Sequence, residues 1–244
     1  MKERDLTTGG IMNATLSLFF ANFMPFFLLV ATIHLPELLW QGYLAFGVDP
    51  YELTRQKIAQ LNLISALIVI LLSPIASSVL TYGIFQKIRG KEIDFMECMN
   101  VGFGRILPVI GASIVVFIAI FAGCVLLIIP GLVVAGWYYV VIPVVVVEKK
   151  GIMESLARSK QLTDGYKKIA LSAAVGLGLV VGIINAVFVA VVSIPKSSIL
   201  SFSMEMFAGI IMQAIFAILP VMTYYMLRRS KENADIEELA SLFD

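Results

Sequence analysis

Charge is what this chain has least of. Only 14% of its 244 residues are Asp, Glu, Lys or Arg, against about 25% in an average soluble domain. Its 18 basic and 17 acidic residues nearly cancel, for a formal net charge of +1. No broad electrostatic pull on a polyanion follows, and no nucleic-acid partner is expected. There are two cysteines, Cys98 and Cys124, and a single histidine, His34. Two cysteines make neither a disulfide framework nor a metal-binding spacing. HExxH, GxSxG, CxxC and phosphate-loop motifs are missing, and Gly102-Phe103-Gly104 lacks the third glycine of a nucleotide-binding turn. The composition therefore excludes a soluble enzyme and a secreted disulfide scaffold. No catalytic residue, cofactor or metal is expected.

What the chain does have is apolar sequence, 59% of its residues. Charged residues divide it into five long uncharged runs, 6–36, 58–86, 106–147, 169–195 and 206–227. A crossing needs about 20 apolar residues to span a ~30 Å hydrocarbon layer. Four runs fit one crossing each. The third is twice that length, and Pro130-Gly131 inside it supplies a break. The pattern predicts an all-α polytopic membrane protein with six transmembrane helices, near 23–45, 59–85, 106–129, 132–147, 169–194 and 206–227. Residues 1–227 form one membrane domain and 228–244 a tail. The valine-rich stretch 140–147 reads as helix, because an open sheet edge is not tolerated in lipid. The N-terminal apolar stretch is too long for a signal peptide and has no cleavage site at a suitable distance.

Basic residues set the orientation. With six spans both termini share a side, and the opposite side holds only Arg55, Lys57 and Lys196. Both termini are therefore expected to be cytoplasmic.

A weak threefold repeat runs through the chain. Ile11-Met12-Asn13-Ala14, Phe95-Met96-Glu97-Cys98 and Ile152-Met153-Glu154-Ser155 each precede a span. Thr81-Tyr82, Tyr138-Tyr139 and Thr223-Tyr224 lie near the ends of the even spans. The reading is three hairpins, each preceded by an interfacial helix. Helical periodicity supports the second and third of these helices as amphipathic. Phe95, Met96, Met99 and Phe103 share one side of the second, with Asp94, Glu97 and Asn100 opposite. In the third, Ile152, Leu156, Ser159, Thr163 and Tyr166 align, and Glu154, Arg158, Gln161 and Gly165 face away. The first is almost wholly apolar and reads as an extension of the first span.

Functional groups are few. His34, three residues before Glu37, reads as a polar interfacial group ahead of a proton relay. Asn62, Ser65, Ser73, Ser77, Ser78, Thr81, Asn185 and Gln213 read as packing contacts ahead of a solute path. Ala174, Gly178, Gly182 and Ala186 form a small-residue ridge for close helix approach, within the bundle or in a homo-oligomer. Glu148 ends the fourth span, where a lone carboxylate needs a cation. Arg158 is expected to hold it in a bidentate clamp, the chain turning at Gly151, with Lys149 and Lys150 pointing outward. Lys149, Lys150, Lys160, Lys167 and Lys168 are candidates for anionic lipid, although ordinary positive-inside bias explains them first.

The stretch Ile129-Pro130-Gly131, then 143–148, then Ser155 through Gly165 resembles a poorly characterised family of bacterial six-span membrane proteins. The family includes the YciC-type envelope proteins and the membrane domain attached to some glycerophosphodiester phosphodiesterases. The resemblance implies an integral protein of the bacterial cytoplasmic membrane concerned with envelope or lipid homeostasis. It supplies no catalytic residues. The expected function is non-enzymatic, binding membrane lipids or a membrane-protein partner. The alternative is a small transporter or permease.

Overall fold

The computed structural model describes residues 6–49, 54–192 and 198–232. The tail beyond 232, positions 193–194 of the expected fifth span and the side chain of Asn185 lie outside the described residues. The described chain is helical throughout: α1 (Thr8–Ala21), α2 (Phe23–Ile33), α3 (Leu35–Phe46), α4 (Arg55–Ile88), α5 (Phe95–Gly104), α6 (Ile106–Leu126), α7 (Ile128–Trp137), α8 (Val141–Val147), α9 (Ile152–Thr163), α10 (Lys167–Val192) and α11 (Ser198–Glu232). Among these residues there is no strand, and the valine-rich α8 is a buried helix. Five segments are long and apolar enough to cross a membrane: 55–88, 106–125, 129–147, 167–188 and 199–232. A sixth is reached when α1 and α2, bent by 91°, count as one broken span.

Proline places the breaks. Asn22, Arg105, Leu127 and Val140 each interrupt the helix, and a proline follows each at the third residue, as Pro25, Pro108, Pro130 and Pro143. The first turn of a helix has N–H groups without intrahelical partners, so a residue lacking that donor is accepted there at least cost. A new helix therefore starts two residues ahead of each proline. This moves the expected break at Pro130-Gly131 back to Leu127, which is extended at φ −164° and ψ 147°. It also divides the expected fourth span into α7 and α8. The expected first span is likewise two helices, α2 and α3, meeting at His34. The ladder continues across that joint, with His34 N–H donating to Val30 O and Leu38 N–H to His34 O.

α1 does not extend the first span. It turns away at Asn22, whose side-chain amide donates to Leu18 O at 3.0 Å. Its buried residues, Ile11, Thr15 and Phe19, enter the main core. That core lies where α4, α8 and α11 cross, around Phe85, Val144, Val147, Ile218 and Tyr224. A smaller cluster of Val109, Ala112, Val141, Val145, Val146 and Leu156 joins α6, α8 and α9. The ends of α4, α8 and α11 gather with α5 and α9 at one end of the bundle.

Two close approaches depend on glycine, and neither lies on the expected ridge. A Cβ on Gly102 would meet Val79 Cγ2, and would lie 2.7 Å from Val79 Cα and 2.9 Å from its backbone nitrogen. A Cβ on Gly123 would lie 2.8 Å from Gly131 Cα, the contact that closes α6 onto α7. Within the chain, Gly182 has nothing within 4 Å of its Cβ position, and Gly178 meets only the Phe216 ring at 3.9 Å. Ala174 packs against the core, whereas Ala186 is exposed. The ridge is an outward face over most of its length, not an internal seam.

This contrast is testable by melting in detergent. Gly102→Ala should destabilise by about 1–3 kcal/mol, because backbone cannot move aside as a side chain can. Gly182→Ala should be neutral or gain up to about 1 kcal/mol from helix propensity. Equal melting of the two variants would refute the α4–α5 contact.

Candidate functional site

The carboxylate that ends α8 is the centre of an extended polar group among the described residues. α8 is buried through its last turn, so Glu148 is carried to the edge of the core with its side chain only 6% exposed. Lys149 follows at φ 52°, a left-handed conformation uncommon outside glycine. That reversal turns the chain at once. Gly151, expected to make the turn, is extended at φ −69° and ψ 169° and starts α9 instead.

The turn brings α9 back against α8. Arg158 Nε lies 3.0 Å from both oxygens of Glu148. The expected fork is made to a different acid. Arg158 Nη1 and Nη2 reach the two oxygens of Glu232 at 2.7 and 2.8 Å. α11 supplies three more members at four-residue spacing. Tyr224 OH donates to Glu148 Oε1 at 3.2 Å, Arg228 Nη1 lies 3.1 Å from the same oxygen, and Arg228 Nε lies 2.6 Å from Glu232 Oε2. Lys150 does not point outward. Its Nζ is 2.8 Å from Glu148 Oε2. Three cations and two carboxylates thus join α8, α9 and α11.

The electrostatics follow from this crowding. Burial alone would push the Glu148 carboxyl up, but the hydrogen bonds and charges of Lys150 and Arg158 outweigh it and hold it below its ordinary value. Burial pulls the other way on Arg158, and Glu232 and Glu148 overcome it to keep the guanidinium charged. Tyr224, Arg228 and Glu232 are not expected from the sequence as partners of this group. The signal that points to them is their i, i+4, i+8 spacing, which puts all three on one side of α11.

A second polar tie repeats this design on α4. Tyr82 OH donates to Glu97 Oε1 at 2.6 Å, and Gln86 Nε2 donates to Glu97 Oε2 at 2.6 Å. Tyr82 and Gln86 stand four apart, as do Tyr224 and Arg228. Glu97 is therefore turned back against α4, although the residue remains exposed. Beside it Cys98 is buried, and burial followed by the charges of Asp94 and Glu97 pushes its thiol up to about 12.

The remaining expected residues are scattered. α9 packs its Ser155, Leu156, Ser159, Leu162 and Thr163 face into protein, with Ser159 and Thr163 hydroxyls donating to Trp137 O at 2.9 and 3.0 Å. Lys160 and Lys167 both lie over the Trp137 ring, at 4.5 and 5.3 Å from its centre. Lys149 and Lys168 are exposed. Among the spans' polar residues, Ser73 Oγ donates to Gln213 Oε1 at 3.3 Å, and Trp40 Nε1 to Ser65 Oγ at 2.8 Å.

Removing one partner of a buried pair costs about 3–5 kcal/mol, and of an exposed pair about 0–1 kcal/mol. Glu148→Gln should cost about 3 kcal/mol, since Lys150 and both guanidiniums lose the carboxylate and Glu232 alone remains between the two arginines. Tyr224→Phe should cost about 1 kcal/mol. A lowered carboxyl stabilises the fold above its unfolded value, near 4.5, and that contribution disappears as pH falls through the lower folded value. Detergent melts of the wild type should therefore weaken below about pH 4.5 more steeply than those of Glu148→Gln. Parallel pH profiles would show that Glu148 is not held this way.

No family model, curated protein or solved structure matches the chain, so the reading of this end of the bundle rests on its own residues and distances.

Proposed function

We propose that this chain is a non-enzymatic integral membrane protein of the bacterial envelope whose work is to bind lipid. The observation that carries the reading is the outer side of α5. Phe95, Met96 and Phe103 are uncovered there, Met96 being 68% exposed, although α5 sits beside the most polar end of the bundle. Water is a poor neighbour for such a surface, and a lipid interface is a good one. Met153 stands 70% exposed at the corresponding place in α9. Between α2 and α5 runs an apolar groove of about 200 Å³, lined by Met24, Pro25, Leu28, Leu29, Ile93 and Phe95. Its chemistry suits an acyl chain.

The basic residues at the same end suit the headgroup. Lys160 and Lys167 lean on Trp137, the kind of side chain that settles at a membrane surface. Each lysine near an anionic leaflet contributes about 1 kcal/mol. The outward faces of α6 and α10 are also apolar, with Leu107, Phe121, Leu179 and Ile183 all more than 60% exposed. They offer room for bulk lipid, a membrane-protein partner or a second copy. A bacterial cytoplasmic membrane with both termini inside draws its support from the basic-residue bias and from the family resemblance of 129–168. The charged groups of the Glu148 network pair with one another, which is the arrangement of a structural tie and not of a reacting centre.

Mild extraction followed by native mass spectrometry tests the reading. Phosphatidylglycerol should be retained over phosphatidylethanolamine. Lys160→Ala and Lys167→Ala should each weaken that preference about fivefold. Met96→Asp with Phe103→Ser should release both lipids. A protein that emerges bare, or retention blind to all four changes, would refute lipid binding at this end.

A further inference from the structure

A third polar cluster lies away from the Glu148 network, where α2 and α3 meet α11. His34 is 2% exposed. Its Nδ1 is 2.6 Å from Glu37 Oε2 and 3.3 Å from Gln213 Nε2; donation to an ionised carboxylate puts the proton of a neutral ring on Nδ1. Gln213 Nε2 donates to the same carboxylate oxygen at 3.1 Å, and its Oε1 accepts from Ser73 Oγ at 3.3 Å. α3, α4 and α11 are thereby joined. With its proton on Nδ1, the imidazole keeps a lone pair on Nε2. That atom is buried and has no hydrogen-bond partner. An unmet acceptor of this kind is costly in a packed interior.

The cluster borders a cavity of about 50 Å³, lined by His34, Glu37, Leu38, Met206, Gly209, Ile210 and Gln213. Glu37 is the one ionisable group besides His34 in that lining, and its ion-pair partner among the described residues is His34 alone. The wall is therefore rich in acceptors and carries one negative charge when the imidazole is neutral. A guest that suits it must donate hydrogen bonds, carry positive charge and be small. We propose that His34, Glu37 and Gln213 form a binding site for a small monovalent cation that donates hydrogen bonds, with ammonium as the type. Glu37 supplies the charge. His34 Nε2 supplies an acceptor that an alkali cation cannot satisfy with a proton. Gln213 holds the carboxylate in place and ties the site to Ser73. A wider cleft of about 220 Å³, bounded by Ser73, Pro74, Ser77, Gln213 and Pro220, opens on the other side of that amide.

The single histidine makes the test direct. Protein labelled with ¹⁵N-histidine, carried on a histidine-free tag and held in lipid nanodiscs at about pH 7, gives one imidazole spectrum. Ammonium chloride should shift it saturably, while sodium and potassium chloride at equal ionic strength should not. Glu37→Gln should weaken the response at least tenfold. Gln213→Ala, which removes the donor that holds Glu37 in place, should weaken it as well. Both variants are to melt as folded protein before titration. Equal shifts with all three salts, an unmoved imidazole, or a Glu37→Gln response equal to the wild type would each overturn the proposal.

Discussion

A carboxylate at the end of a buried helix constrains everything around it. α8 is too apolar to face water and too short to carry its own last residue out of the core. Glu148 must therefore be met where it stands, and desolvation alone would favour its neutral form. The chain meets it with Lys150, Arg158 and Arg228 from three different segments. Once those cations are gathered, a second acid is needed to keep the guanidiniums from repelling one another, and Glu232 lies between them. Each of these residues fixes a helix end. The left-handed Lys149, the direction of α9 and the reach of α11 past its apolar run follow from the need to complete this group.

The apolar part of the architecture obeys a different constraint. Four interruptions lie three residues ahead of a proline, because a proline is accepted in a first turn at least cost. The interior prolines Pro74 of α4 and Pro220 of α11 are the exceptions. They border one shared cleft. That cleft adjoins Gln213, so the bundle's least regular helical stretches and its inner polar cluster coincide.

The sequence made the long helices legible. Lipid requires uninterrupted apolar residues, and uncharged runs expose α4, α6, α10 and α11 directly. It was less informative about breaks, because a proline marks a helix start two residues before itself and the eye places the break on the proline. α1 misled for another reason. Its residues are apolar because they face the core, not because they continue α2, and composition does not distinguish those causes. The pairing of Glu148 with Arg158 was readable from the cost of a lone acid. Arg228 and Glu232 were not, since they are distant in sequence and look like ordinary flanking charges. The small residues at 174–186 left two uses open, the bundle or a second copy, and within this chain Gly178 and Gly182 pack against little.

Hydrogen exchange read by mass spectrometry in nanodiscs tests the central claim most directly, by comparing the wild type with Glu148→Gln. If one carboxylate ties the three helix ends, α9 and the last turn of α11 should lose protection together, while the α6–α7 contact at Gly123 and Gly131 keeps its protection. Unchanged exchange in α9, or a uniform loss across all helices, would contradict the account.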